Sequence, residues 1–78
     1  MSHQEVRNVR AEALFVSHLQ RSDAVSPDVV RHTVRETVRQ YGVTEVAARV
    51  AEEFGEHPDT AIERMSWCLG AVRSAYAA

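Results

Sequence analysis

Few side chains in this chain of 78 residues are of the types that carry out chemistry. The nucleophilic and metal-ligating candidates are one cysteine and four histidines: Cys68, His3, His18, His32 and His57. His32 and Glu36 form an i, i+4 pair, but two ligands on one helix do not make a zinc site, and Cys68 has no Cys or His at ligand spacing. No catalytic set and no glycine-rich phosphate loop is suggested by the spacing. We therefore predict no catalytic residue, no metal, no cofactor and no small-molecule substrate, and a protein that is not an enzyme.

A basic stripe is the second feature that could have a binding function. Arg31, Arg35 and Arg39 recur at i, i+4 and i+8, which places them on one face of a helix. One interpretation is a surface that docks an acidic partner protein. The other is a solvated face with local ion pairs, Asp28 with Arg31 and Glu36 with Arg39, each contributing roughly a few tenths of a kcal/mol. Both interpretations stay open here.

Four helices are predicted to position these residues, and no strand pattern competes with them. Apolar residues at helical spacing predict helices over about 5–20, 27–41, 44–54 and 58–76. Ser26-Pro27-Asp28 is a strong start signal, because serine caps free N–H groups, proline fits the first turn and aspartate faces the positive end of the helix dipole. Gly42 suits the left-handed position that ends a helix. The sequence therefore predicts a single all-α, compact four-helix domain.

The apolar residues of the chain are mostly small. Twelve are Val and eleven are Ala, against three Leu, one Ile and one Trp. Since apolar burial contributes roughly 25 cal/mol per Å², such side chains leave a lone copy only marginally stable. Self-association is therefore expected.

Charge and cysteine content bear on location and partners. The formal net charge of −2 gives no basic excess to attract nucleic acid or an anionic membrane. A single cysteine rules out an intramolecular disulfide and is typical of a reducing compartment. No apolar run approaches the ~20 residues that span a bilayer, and residues 1–5 lack the pattern of a signal peptide. We expect a cytoplasmic protein without a membrane partner.

The last predicted helix carries apolar residues in two directions. A heptad-like seam has spacings of 3, 4, 3 and 4 and consists of Ile62, Met65, Leu69, Val72 and Tyr76. Trp67 lies roughly 140° round the helix from Ile62, beside a strip of small residues: Ser66, Gly70 and Ser74. One interpretation is a homodimer interface anchored by Trp67. The alternative is that the first helix covers Trp67 within one chain, through Leu14 or Phe15.

Residues 50–67 resemble a helix-turn-helix. The residues that match its small residue, turn glycine, cap region and first inward position are Ala51, Gly55, Pro58, Thr60 and Ala61. Glu56 and Arg64 depart from the pattern, because both stand where that motif has buried aliphatic residues. The resemblance implies DNA binding through residues 58–67, with Thr60 and Arg64 as contacts. Residues 43–57 carry four Glu and one Arg, a net charge of −3, which disfavours binding to the DNA polyanion.

A longer resemblance covers about residues 11–73. The segments that carry it are 13–23 and 50–61, followed by Arg64-Met65 and Trp67. They look like a group of short all-helical proteins of unassigned function from actinobacteria. That resemblance implies four helices and a cytoplasmic location, and it assigns no site residues.

Taken together, the sequence predicts a non-enzymatic protein–protein interaction module. The partner is expected to be a second copy of the chain, bound through the last helix, or another protein. The alternative is a small helix-turn-helix transcription regulator that binds DNA through residues 58–67.

Overall fold

The computed structural model describes residues 8–23 and 25–77. Four helices make up a compact all-helical domain, as predicted: α1 (Val9–Val16), α2 (Pro27–Tyr41), α3 (Val43–Glu56) and α4 (Pro58–Ala75). The described residues contain no strand. The predicted start of the first helix near Glu5, and the candidate ligand His3, lie outside the described residues.

Helix α1 is the shortest and most buried of the four. It begins at Asn8, whose Oδ1 accepts a hydrogen bond from the Ala11 N–H at 2.9 Å. Four of its eight residues are buried, namely Ala11, Ala13, Leu14 and Phe15, and the helix packs against the other three. Leu14 and Phe15 are both covered because α1 lies between neighbours on more than one side.

The predicted end of the first helix near Gln20 is wrong, since α1 ends at Val16. Ser17 is extended, with φ −68° and ψ 174°, and its Oγ donates to the Leu14 carbonyl at 2.6 Å. The chain then turns, with the Gln20 N–H donating to Asp23 Oδ2 at 2.9 Å. Side-chain hydrogen bonds thus replace the helical bonds that the apolar pattern implied.

Helix α2 has the predicted range because its local signals are strong. Ser26 Oγ accepts a hydrogen bond from the Val29 N–H at 3.2 Å, and Pro27 occupies the first turn. Gly42 ends the helix with φ +83°, a left-handed conformation that side chains other than glycine rarely adopt. Helix α3 follows directly, and the single residue His57 separates it from α4.

The core consists mainly of small side chains. Its buried apolar residues are Ala11, Ala13, Leu14, Phe15, Val30, Val34, Val46, Val50, Ala61, Cys68, Val72 and Ala75. Phe15 and Phe54 stack with ring centroids 5.9 Å apart, which fixes α3 against α1. Within residues 8–23 and 25–77, no helix has the length and apolar character that a membrane crossing requires.

Candidate functional site

The predicted seam of α4 enters the core only in part: Val72 is buried and Met65 and Tyr76 pack against the core, whereas Ile62 and Leu69 do not. The inward residues are Ala61, Arg64, Cys68, Val72 and Ala75, with Arg64 half-buried and the others buried. Ile62 is 58% exposed and Leu69 is 37% exposed, so these two residues of the predicted seam lie outside the core. The small residues at 61, 68 and 75 bring α4 close to its neighbours, and this close approach sets the rotation of the helix. The bulkier side chains of Ile62 and Leu69 therefore face outward.

The Arg64 guanidinium donates its hydrogen bonds to backbone carbonyls of the same chain. Its Nε donates to the Phe15 carbonyl at 2.8 Å, and its Nη2 donates to the carbonyls of Leu14, Ser17 and Leu19 at 3.1, 3.0 and 3.0 Å. These oxygens lie at or just beyond the end of α1, where helical carbonyls lack intrahelical partners. The positive charge also faces the negative end of the α1 dipole. Arg64 therefore caps α1, a role that the sequence pattern did not predict.

The outward face of α4 forms a second heptad-like line. Its residues follow spacings of 3, 4, 3 and 4 and are all exposed: Asp59, Ile62, Ser66, Leu69 and Arg73. We call these five residues the outer seam. Its two aliphatic side chains lie seven residues apart, so they share one side of the helix. The outer seam contains both of the large apolar side chains of α4 that are exposed.

Trp67, Gly70 and Ser74 lie beside the outer seam, toward the start of α2. Together with Ser66 and with α2 residues that include Pro27 and Val30, they line an open groove of about 370 Å³. Trp67 is half-buried and packs against the core, with its ring 5.7 Å from the Arg64 Cζ. The chain itself thus covers part of the indole, and part stays open to the groove.

Gly70 has no packing role among residues 8–23 and 25–77. A methyl group at its Cβ position would meet no atom within 4 Å. Glycine inside a helix costs roughly 1 kcal/mol relative to alanine. Nothing in a single described chain offsets that cost, which leaves room at this position for a second molecule.

The basic stripe on α2 is divided among three environments. Arg31 donates to the Ala75 carbonyl at the end of α4 and pairs with Asp28. Arg39 pairs with Glu36 at 3.1 Å. Among the described residues, only Arg35 of the three has no hydrogen bond or ion pair. The local-pair interpretation therefore accounts for two of the three arginines.

The corner between α3 and α4 presents a mainly acidic surface. Thr60 is exposed, and around it are exposed carboxylates at positions 52, 53, 56, 59 and 63. Arg49 is paired with Glu45 at 3.0 Å and lies over the Tyr41 ring. DNA binding through Thr60 and Arg64 remains a prediction, and the Arg64 guanidinium donates its hydrogen bonds to carbonyls at the end of α1.

The remaining chemical candidates do not assemble into a centre. His18 and His32 line one groove with Glu36, but residues 8–23 and 25–77 contain no group of three His, Cys, Asp or Glu that could hold a metal ion. Burial raises the pKa of the Cys68 thiol to about 11, although the nearby Arg64 charge acts in the opposite direction. The thiol is therefore uncharged and shielded at neutral pH.

Comparison with known proteins finds no matching family model, no matching curated protein and no matching solved structure.

Proposed function

We propose that this chain is a non-enzymatic protein–protein interaction module that forms a homodimer through the outer seam of α4. The observation that carries the proposal is the pair of aliphatic side chains, Ile62 and Leu69, exposed on one side of that helix. Single exposed aliphatic residues are common, but these two lie two turns apart on one side of α4, with the small Ser66 between them. A second copy would remove both from water.

The free energy gained by burying these aliphatic side chains is of the size expected for a reversible dimer. Complete burial of an aliphatic side chain contributes roughly 1.5–3 kcal/mol, and the two copies together supply four such side chains that are already partly covered. Association also costs translational, rotational and side-chain entropy. A single pair of helices buries less than the usual ~1,600 Å² of a stable interface. We therefore expect a dissociation constant in the micromolar range.

Two further features support close contact on this side of α4. Ser66 lies at the centre of the outer seam and has a small side chain, so the helix axes can approach each other there. Gly70 lies one helical turn after Ser66, next to Leu69, and leaves open space beside the contact. Ser74 and the exposed part of Trp67 would then form the rim of the interface rather than its centre.

The proposed role is consistent with the chemistry of the described residues. Cys68 is fully buried and its raised pKa keeps it protonated, which removes the one thiol from reactive chemistry. We propose a cytoplasmic location, because a chain with one cysteine needs no oxidising compartment.

A double substitution with a matched control tests the proposal. Ile62→Ser with Leu69→Ser should leave a folded monomer, because neither side chain belongs to the core. Val29→Ser is the control, since Val29 is 41% exposed on α2 and lies outside the outer seam. Light scattering coupled to size exclusion should show dimers for the wild type and the control, and a monomer for the double variant. A double variant that associates as strongly as the wild type would refute the proposal.

A further inference from the structure

The positions of the outer-seam residues are nearly symmetric about Ser66. Ile62 precedes Ser66 by four residues and Leu69 follows it by three, so an aliphatic residue stands on each side. Asp59 precedes Ser66 by seven residues and Arg73 follows it by seven, so opposite charges stand at the two ends. The outer seam therefore has an aliphatic side chain on each side of Ser66, with a negative charge at one end and a positive charge at the other.

We propose that two copies pack their α4 helices antiparallel about a two-fold axis at Ser66, an inference that rests on the proposed homodimer. In this arrangement Ile62 of one copy packs beside Leu69 of the second copy, and the reciprocal pair forms on the other side of the axis. Asp59 of each copy lies beside Arg73 of the other. A two-fold interface requires such reciprocity, because the same surface must complement itself.

Charge decides between the two directions of packing. A parallel pair would bring Asp59 next to Asp59 and Arg73 next to Arg73, and like charges at that distance repel. The antiparallel pair replaces both repulsions with opposite charges, and it also opposes the two helix dipoles. Within the described residues of one chain, neither Asp59 nor Arg73 has an ion-pair partner. Both side chains are therefore available to a second copy.

Glu63, an acidic residue next to the outer seam on α4, also favours antiparallel packing. Glu63 is exposed and stands one residue after Ile62, so the first half of the outward surface is acidic and its last turn is basic. The antiparallel arrangement places Arg73 of the second copy near both carboxylates. Such rim charges contribute more to orientation and association rate than to affinity.

Cysteine crosslinking distinguishes the two directions. The background is Cys68→Ala, which removes the native thiol, and the three probes are Ser66→Cys, Ile62→Cys and Leu69→Cys. A disulfide needs Cα atoms within about 7 Å. In the antiparallel pair, the two copies of residue 62 are offset along the axis by eight residues, or ~12 Å, and the two copies of residue 69 by six residues, or ~9 Å. Residues 62 and 69 of different copies are level to within ~1.5 Å.

The proposal predicts that Ser66→Cys crosslinks with itself under mild oxidation. It also predicts that a mixture of Ile62→Cys and Leu69→Cys crosslinks several-fold more than either variant alone. Efficient crosslinking of Ile62→Cys with itself and of Leu69→Cys with itself would show parallel packing and overturn the inference, although the homodimer would stand. Crosslinking at position 66 without any at 62 or 69 would also overturn it. If no variant crosslinks and the wild type sediments as a monomer, the proposed homodimer itself fails.

Discussion

The Arg64 Nε and the Phe15 carbonyl oxygen are joined by a 2.8 Å hydrogen bond that ties α4 to the end of α1. Three further carbonyls accept from the same guanidinium. Hydrogen bonds to a charged group contribute more than neutral ones, and the carbonyls of Phe15, Ser17 and Leu19 would lose this donor together if it were removed, whereas the Leu14 carbonyl would keep the Ser17 Oγ donor. This one side chain therefore helps to end α1 and holds α4 against it.

Replacing Arg64 should lower the free energy of unfolding more than replacing any other arginine of the described residues. We expect Arg64→Ala to cost about 2–4 kcal/mol, and Arg64→Lys about half as much, because lysine keeps the charge but loses the planar fork of donors. Chemical denaturation monitored by circular dichroism measures both. Arg35→Ala is the matched control and should change stability by less than ~0.5 kcal/mol, since Arg35 is exposed and unpaired. Equal losses for Arg64→Ala and the control would contradict the capping role.

The three glycines should respond differently to alanine. Gly70→Ala should stabilise the chain by about 0.5–1 kcal/mol, because the added methyl meets no atom and the helix propensity improves. Gly55→Ala should gain less, since Gly55 is the residue before the last one of α3. Gly42→Ala should destabilise the chain by about 1 kcal/mol, because φ is +83° there. Thermal unfolding ranks the three variants, and destabilisation by Gly70→Ala would show that another molecule or segment already occupies that space.

Cys68 should make stability fall at alkaline pH. The folded chain raises the thiol pKa from 9.0 to about 11, so above pH 9 the unfolded chain releases its proton while the folded chain retains it. The folded state then binds more protons than the unfolded state, and stability decreases as the pH rises from about 9 to about 11. Below pH 9 the thiol contributes no pH dependence. Denaturation midpoints over this window should fall more steeply for the wild type than for Cys68→Ala. Parallel profiles for the two proteins would argue against a buried, protonated thiol.

Local signals explain which parts of the fold could be predicted from sequence. Ser26, Pro27 and Gly42 specify the two ends of α2 within a few residues of themselves, so the helix lies where the sequence predicted it. The end of α1 depends on Arg64, about fifty residues further along the chain. The local hydrogen bonds of Ser17 and Asp23 also end this helix, but the apolar spacing past Val16 predicted a longer one.

The rotation of α4 could not be predicted because two periodic lines compete on one helix. The line with the larger apolar residues includes Ile62 and Leu69, and the line that is actually buried contains Ala61, Cys68 and Ala75. Hydrophobicity favours the first line, whereas close packing against α1 favours the second. The sequence also predicted an interface on α4 that includes Ser66, and this stays a prediction. The sequence placed Ile62 and Leu69 in one apolar seam with Val72, and only the three-dimensional packing shows that these two side chains are exposed.

The mass of the unaltered chain in solution as a function of concentration tests the central claim most directly. Sedimentation equilibrium from about 1 μM to about 500 μM spans the expected range of the dissociation constant. The account predicts a weight-average mass that rises from 8.7 kDa toward twice that value and then levels off, as expected for a closed two-fold dimer. A mass that stays at 8.7 kDa throughout would contradict the claim that α4 joins two copies.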